Sequence, residues 1–251
     1  MTETVQDVAL IVGGGPGISA SCARLFSRQG LKVAVAARNV DKPVLKALAQ
    51  DHGVALVACD ASVPASVAAM FDEVSHTLGT PRLVVHNIDG RPREVFRKAI
   101  TAVEPAAVLA TLVNSTFSAF LVGQQAAKAM LSLDGKDGHK GTIVLTNASA
   151  ALKGYARSGA FAAASHGKSG LAQSMARELM PQGIHVAHVP IDAAVGWEQA
   201  DGSRAHRLAG ESVDDNLAHP DRIAELYWQL HRQHRSTWAY EVVLRPWKET
   251  W

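Results

Sequence analysis

Gly13, Gly15 and Gly17 follow directly on the apolar run Val8 to Val12, and an Ala-rich helical pattern opens at Ile18. Glycines at such a junction permit a tight turn and let backbone N–H groups approach a ligand closely. A helix beginning at Ile18 would aim the positive end of its dipole at the same turn. Buried strand, glycine turn and helix N-terminus together form a pyrophosphate site. A glycine turn without a ligand is the alternative, and the placement between strand and helix argues against it.

Other residue types with chemical potential are less persuasive. His185 and His188 fall on a strand pattern, where an odd spacing sends two side chains to opposite faces. His231 and His234 share a helix face but have no evident third ligand, so no metal site is expected. Cys22 lies on the first helix pattern and Cys59 at a strand end. Both are read as reduced, small apolar residues of a cytoplasmic protein. Trp247 and Trp251 in the tail are apolar enough to dock, with a neighbouring subunit as one candidate surface.

The chain must supply the elements that hold these residues. Its 251 residues are 47% hydrophobic and 19% charged, enough for a substantial core. A formal charge of +2 provides no strong field for nucleic acid or an anionic membrane. The 11 histidines would add charge at mildly acidic pH. No signal peptide is recognised, and no run is read as reaching the length of a membrane span.

Strand-like and helix-like segments alternate. The strands are Val8 to Val12, Leu31 to Ala36, Val54 to Ala58, Leu83 to His86, Thr142 to Thr146, Ile184 to Val189 and Trp238 to Leu244. The helices are Ile18 to Gln29, Lys42 to Asp51, Pro64 to Leu78 (capped by Ser62), Glu104 to Leu131, Phe161 to Leu179 and Ile223 to His234. A polar, glycine-rich connector, Asp134 to Gly141, is expected to be exposed. This alternation predicts one α/β domain over 1–251: a Rossmann-type, doubly wound parallel sheet with helices on both faces and the N-terminal strand central. The polar segment Gly196 to Pro220 is read either as a lid over the site or as a disordered surface loop.

With these elements placed, the chain resembles the classical short-chain dehydrogenase/reductase family over nearly its whole length. Gly13-x-x-x-Gly17-Ile18 is similar to the family's glycine pattern, with Ser19 where its last glycine falls. The resemblance implies that Asp60 holds the adenine. It also implies that Asn87, in His-Asn-Ile-Asp-Gly, forms the turn after the fourth strand, and that Asn114 shapes the active site. Ser149, after Ile143 to Ala148, matches the catalytic serine, and Gln173 to Val186 resembles the stretch that follows the family's active-site helix.

The departures are chemical. The family's Tyr-x-x-x-Lys motif would place a proton-transferring phenol at Phe161 and a cation at Ser165. Phe has no ionisable proton and Ser no charge, so this is a divergent member lacking that motif. Two residues are candidate substitutes. Tyr155 lies six residues after Ser149, on the loop before the helix, where a plain surface-loop tyrosine is the favoured reading. Lys168 shares a narrow helical stripe with Phe161 and Ser165, and is either a cation reaching the cofactor ribose or a lysine at a subunit interface. His166 points off that stripe. The Pro-Gly usual after the sixth strand is replaced by Ile191-Asp192.

The expected function is hydride transfer between NADP(H) and a carbonyl, alcohol or activated double bond. NADP(H) is favoured over NAD(H), because Ala37 stands where an NAD-binding acid would be and Arg38 follows it. The alternative is a catalytically inactive dinucleotide-binding sensor or scaffold subunit. Expected partners are a small-molecule substrate and further copies of the chain, as a homodimer or homotetramer built on the two long apolar helices.

Overall fold

Val8–Val12 (β1) is buried at every position, because helices cover both faces of the sheet it belongs to. The computed structural model describes residues 7–199, 201–206 and 209–250. After β1 come α1 (Ile18–Arg28), β2 (Lys32–Ala37), α2 (Pro43–His52), β3 (Ala55–Ala58), α3 (Pro64–Thr77) and β4 (Pro81–His86). The second half supplies α4 (Pro105–Leu112), α5 (Ser118–Leu131), β5 (Gly141–Ala148), α6 (Gly159–Leu179), β6 (Ile184–Ile191) and α7 (Pro220–Arg232). The strands form one parallel sheet in the order β3-β2-β1-β4-β5-β6. β1 therefore lies inside the sheet, as expected, and strand order reverses beside it. That reversal opens a crevice at the carboxyl ends of β1 and β4.

Two apolar layers fill the faces. One joins the sheet to α3, α5 and α6 through Met70, Phe71, Val122, Met130 and Met175. The other joins it to α1, α2 and α7 through Phe26, Leu45, Ile223, Tyr227 and Leu230. Tyr227 is fully buried, and its hydroxyl meets Thr146 Oγ1 at 2.7 Å, so the polar tip is satisfied inside the core.

Several elements differ from the sequence expectation. The helix read over Glu104 to Leu131 is α4 and α5 joined by a π turn, Val113–Phe117. Against the reading of no membrane-length run, Pro105–Leu131 is long and apolar enough to cross a membrane by length and composition. Its Ala119, Val122, Ala126 and Met130 instead pack into the core. Ser62 does not cap α3, whose N-cap is Val63; the Ser62 hydroxyl donates to Asp60 instead. The last strand is reduced to two bridges, His188 to Glu241 and Ile191 to Leu244, both parallel to β6. Trp238 leaves the ladder because its indole donates to Gln233 O and stacks flat on His185. Segment 196–220 is neither structureless nor a simple loop. Its described residues include a three-stranded antiparallel sheet of β7 (Trp197–Glu198), β8 (Arg204–His206) and β9 (Gly210–Glu211). The Ile191-Asp192 departure has a structural use: Asp192, almost fully buried, accepts from Arg245 Nε at 2.9 Å and lies 3.6 Å from Lys153 Nζ.

Four of the 11 histidines, His86, His185, His188 and His231, are buried, and burial lowers the pKa of each. His185 Nδ1 meets Leu230 O and its Nε2 meets Ala239 O. His231 Nδ1 meets Thr142 Oγ1, with His139 and Trp228 against its ring. Burial, then repulsion from His139, pushes the His231 pKa down to about 4. A lowered folded-state pKa means the unfolded chain binds the proton more readily. Stability is then full above the unfolded value of about 6.5 and falls as pH drops toward the folded value. Urea unfolding should show His231 alone costing on the order of 1–2 kcal/mol from about pH 7 to about pH 5. His231→Gln should flatten the slope by that amount, and an unchanged slope would contradict the assignment.

Candidate active site

The glycine turn is built by contact. At Gly13, φ is +111°, and a Cβ would fall 2.2 Å from Asn87 O, so only glycine fits between β1 and the end of β4. Ser19, at the family's last glycine position, turns inward. Its hydroxyl donates to Gly13 O at 2.6 Å and accepts from Asn87 Nδ2 at 2.7 Å, locking the turn to β4. No side chain caps the N-terminus of α1. A Cβ on Gly15 would meet nothing within 4 Å, and one on Gly17 only Trp197 at 3.9 Å. Backbone donors beside open space fit a pyrophosphate.

The adjoining cleft has a volume of about 650 Å³. Gly13, Arg38, Asp60, Asn87 and Asn114 line it, so the structure brings together most of the cofactor residues named from sequence. The Asp60 carboxylate accepts from both the N–H and the hydroxyl of Ser62, and these bonds, with nearby Arg38, lower its pKa. Lys42 also lines the cleft, with Nζ 2.8 Å from Gly14 O. Sequence reading missed this second cation, which stands four residues beyond Arg38. Asn114 sits on the π turn, a distortion that recurs at functional sites. Its Nδ2 reaches Gly90 O at 3.4 Å, and Gly90 (φ +77°) packs its Cα against the Asn114 backbone.

A second cavity of about 380 Å³ adjoins the first, sharing Asn87, Asp89 and Arg91 with it. Ile18, Ser149, Phe161, Ser165 and Lys168 line it, and Trp197 and His206 of the small antiparallel sheet complete its wall. Both Trp197 and His206 fall within segment 196–220. Lys168 is only 2% exposed, and its ammonium donates to Ile88 O at 3.1 Å and to Thr146 O at 3.3 Å. Burial lowers its pKa to about 8, against the opposing charge of Asp89. Ser165 is buried, and its carbonyl accepts from Asn147 Nδ2 at 2.9 Å. Behind Asn147 stands His188, whose Nε2 meets Asn147 Nδ2 and whose Nδ1 meets Glu241 Oε2 at 2.8 Å. This support was missed because nothing in the sequence links positions 147, 188 and 241.

Tyr155 lies elsewhere. It is 47% exposed, beside Lys153, and outside the lining of both cavities. His166 is exposed and meets only Ala162 O. Trp247 is exposed, and its indole donates to Asp214 O of its own chain; Trp251 lies outside the described residues. Cys22 and Cys59 are free and buried. Among the described residues no three His, Cys, Asp or Glu side chains cluster as metal ligands would.

A parallel sheet in this order, a glycine turn at its point of reversal and a cleft across it define a dinucleotide-binding α/β protein. The family model described as Enoyl-(Acyl carrier protein) reductase matches residues 13–238, and the chain belongs to the short-chain dehydrogenase/reductase family of oxidoreductases. It is 26% identical over 184 residues to a Bos taurus 3-oxoacyl-(acyl-carrier-protein) reductase, covering 72% of this chain and 73% of that protein. A Danio rerio peroxisomal 2,4-dienoyl-CoA reductase is 27% identical over 207 residues, 80% of this chain and 66% of the relative. The crystal structure of a short-chain dehydrogenase from Rhodopseudomonas palustris superposes with a TM-score of 0.76 at 28% identity, covering 96% of this chain and 99% of the other. A metagenomic short-chain oxidoreductase solved in complex with NADP shares the fold at 23% identity, with a TM-score of 0.76 and 96% and 97% of the two chains covered.

The Gly13 contact gives a direct check. Gly13→Ala must move the Asn87 carbonyl and adopt a strained backbone, so a loss of about 2 kcal/mol or more in stability is expected. NADPH titration should show weakened binding as well. A variant as stable as the parent, with unchanged NADPH affinity, would refute the account of the turn.

Proposed function

We propose that the chain is an NADP(H)-dependent reductase of a small carbonyl compound or activated double bond, with Lys168 replacing the missing phenol and cation of the family motif. The observation that carries this reading is the Lys168 ammonium, buried in the inner cavity beside Phe161 and Ser165, where burial lowers its pKa to about 8. A group with a pKa of about 8 is mostly protonated near pH 7 yet gives up its proton far more readily than an ordinary lysine, which suits a general acid.

Gly13, the open backbone at Gly15 and the N-terminus of α1 would hold the pyrophosphate, and Asp60 the adenine. Arg38 and Lys42 would face the 2′-phosphate that distinguishes NADP from NAD. The chemistry that a reduced nicotinamide brings when bound is hydride donation to an electrophilic carbon. The chain's own part is to orient the substrate oxygen with Ser149 and Asn114 and to deliver a proton from Lys168 Nζ. The resulting neutral amine keeps its place by its bonds to Ile88 O and Thr146 O and recovers a proton from solvent. Phe161 contributes shape and no proton. Subunit pairing as a homodimer or homotetramer is assigned to the outer face of α4 and α5, where Leu109, Phe117 and Phe120 are exposed and the two phenylalanines stack. A cytoplasmic protein accords with two free, buried cysteines.

One assay series tests the reading: NADPH oxidation over a panel of small carbonyl and enoyl compounds, with cofactor affinities measured alongside. Lys168→Met should lose about a hundredfold or more in rate. The parent's rate should fall as pH rises past about 8, where the ammonium is lost. Arg38→Ala should cut the preference for NADPH over NADH by about tenfold. Turnover indifferent to Lys168→Met would overturn the assignment of the acid. Tight NADPH binding without turnover of any compound would make the chain a dinucleotide sensor or scaffold instead.

A further inference from the structure

Arg91 stands where the cofactor cleft and the inner cavity meet, lining both. Its guanidinium carbon lies 3.6 Å from the centroid of the Phe161 ring and 4.6 Å from that of Phe96. A planar cation held against two aromatic faces loses most of its freedom before any ligand arrives. One edge of the guanidinium is already used: Nε and Nη2 donate to the two oxygens of Asp89 at 2.6 and 2.8 Å. Among the described residues no acceptor meets Nη1. The Phe161 departure thus gains a second meaning. The ring that removes a proton donor supplies the platform that holds a cation.

The cavity's remaining chemistry is consistent with this. Its formally charged lining side chains are Asp89, Arg91 and Lys168, two cations against one anion. Its apolar lining includes Ile18, Ile191, Val195 and Trp197. We propose that Arg91 is a substrate-anion receptor and that the substrate is a small carboxylate, an oxo or enoyl acid with an apolar body. The proposal rests on the reductase reading and gives that site's substrate its charge class. A carboxylate is planar and matches the guanidinium fork in two parallel hydrogen bonds. Asp89 already shows that pairing within the chain. An incoming carboxylate takes the Nη1 edge or exchanges with Asp89. Anchored there, its carbonyl or double bond shares one cavity with Ser149 and Lys168. The apolar wall excludes water from the body of the molecule.

Benzoylformate and its methyl ester are suitable probes, since they differ in the charge and share the ring and ketone. Both are titrated calorimetrically into the full chain, with and without saturating NADP⁺. The acid should bind at least about tenfold more tightly than the ester and weaken with added salt. Arg91→Met should reduce the acid's affinity about tenfold while moving the ester's by less than about twofold. Asp89→Asn should act in the opposite direction and tighten the acid, because it removes the competing carboxylate. That opposite sign separates recognition from a mere loss of fold, which would weaken everything. Equal binding of acid and ester, no detectable binding of either, or an acid affinity unmoved by Arg91→Met would overturn the proposal. Failure of NADPH to bind would sink the reductase reading separately, since the titrations without cofactor still report on Arg91.

Discussion

A buried ammonium is the constraint on which the candidate active site depends. Lys168 carries its charge into a cavity where almost none of the side chain meets water. Such a charge is costly unless it finds acceptors. The acceptors present are two main-chain carbonyls, Ile88 O and Thr146 O, one just past β4 and one near the end of β5. The ammonium therefore ties the carboxyl ends of neighbouring strands together at the crevice that the strand order creates. Asp89 offsets part of the desolvation from the same turn. The turn is in turn fixed by the Gly13, Ser19 and Asn87 contacts. The two adjoining cavities are thus held by one connected set of bonds.

On the proposed reading, Phe161 and Ser165 stand where the family's phenol and lysine would be, and the cation comes from Lys168, one helical turn beyond Ser165. Asn147, backed by His188 and Glu241, holds the Ser165 carbonyl and so fixes the approach of α6 to β5. Burial and the Lys168 charge both lower the His188 pKa, although Glu241 opposes them. This favours a neutral ring with Nδ1–H donated to Glu241 and Nε2 accepting from Asn147. The arrangement supports the helix and adds no further cation beside Lys168 and Arg91. Arg91, stacked on Phe161, restores positive charge at the opening and not at the core.

Much of the fold was legible because buried parallel strands write continuous apolar runs, and β1, β2 and β4 are such runs. The glycine turn was legible for the same reason: it falls between one of those runs and a helix. Ser149, Ser165 and Lys168 were correctly gathered into one neighbourhood by resemblance and helical spacing. The π turn at Asn114 was not legible, since one extra residue shifts the helical phase without leaving a mark in composition. The short strands of the 197–211 sheet carry too few residues to show alternation. Trp238 looked like strand because an aromatic ring suits a strand, but its stacking on His185 prevailed. Arg91 was passed over because its importance comes from two rings and an acid brought together by the loop, not from a periodic pattern.

The central claim is that Lys168 is a buried cation able to give up its proton near working pH. Heteronuclear NMR of lysine Nζ–Cε resonances, with Lys168 identified by its absence in Lys168→Met, measures this directly. The account predicts a titration midpoint of about 8, displaced when NADP⁺ is added. A midpoint at the ordinary lysine value of about 10.4, insensitive to NADP⁺, would contradict it.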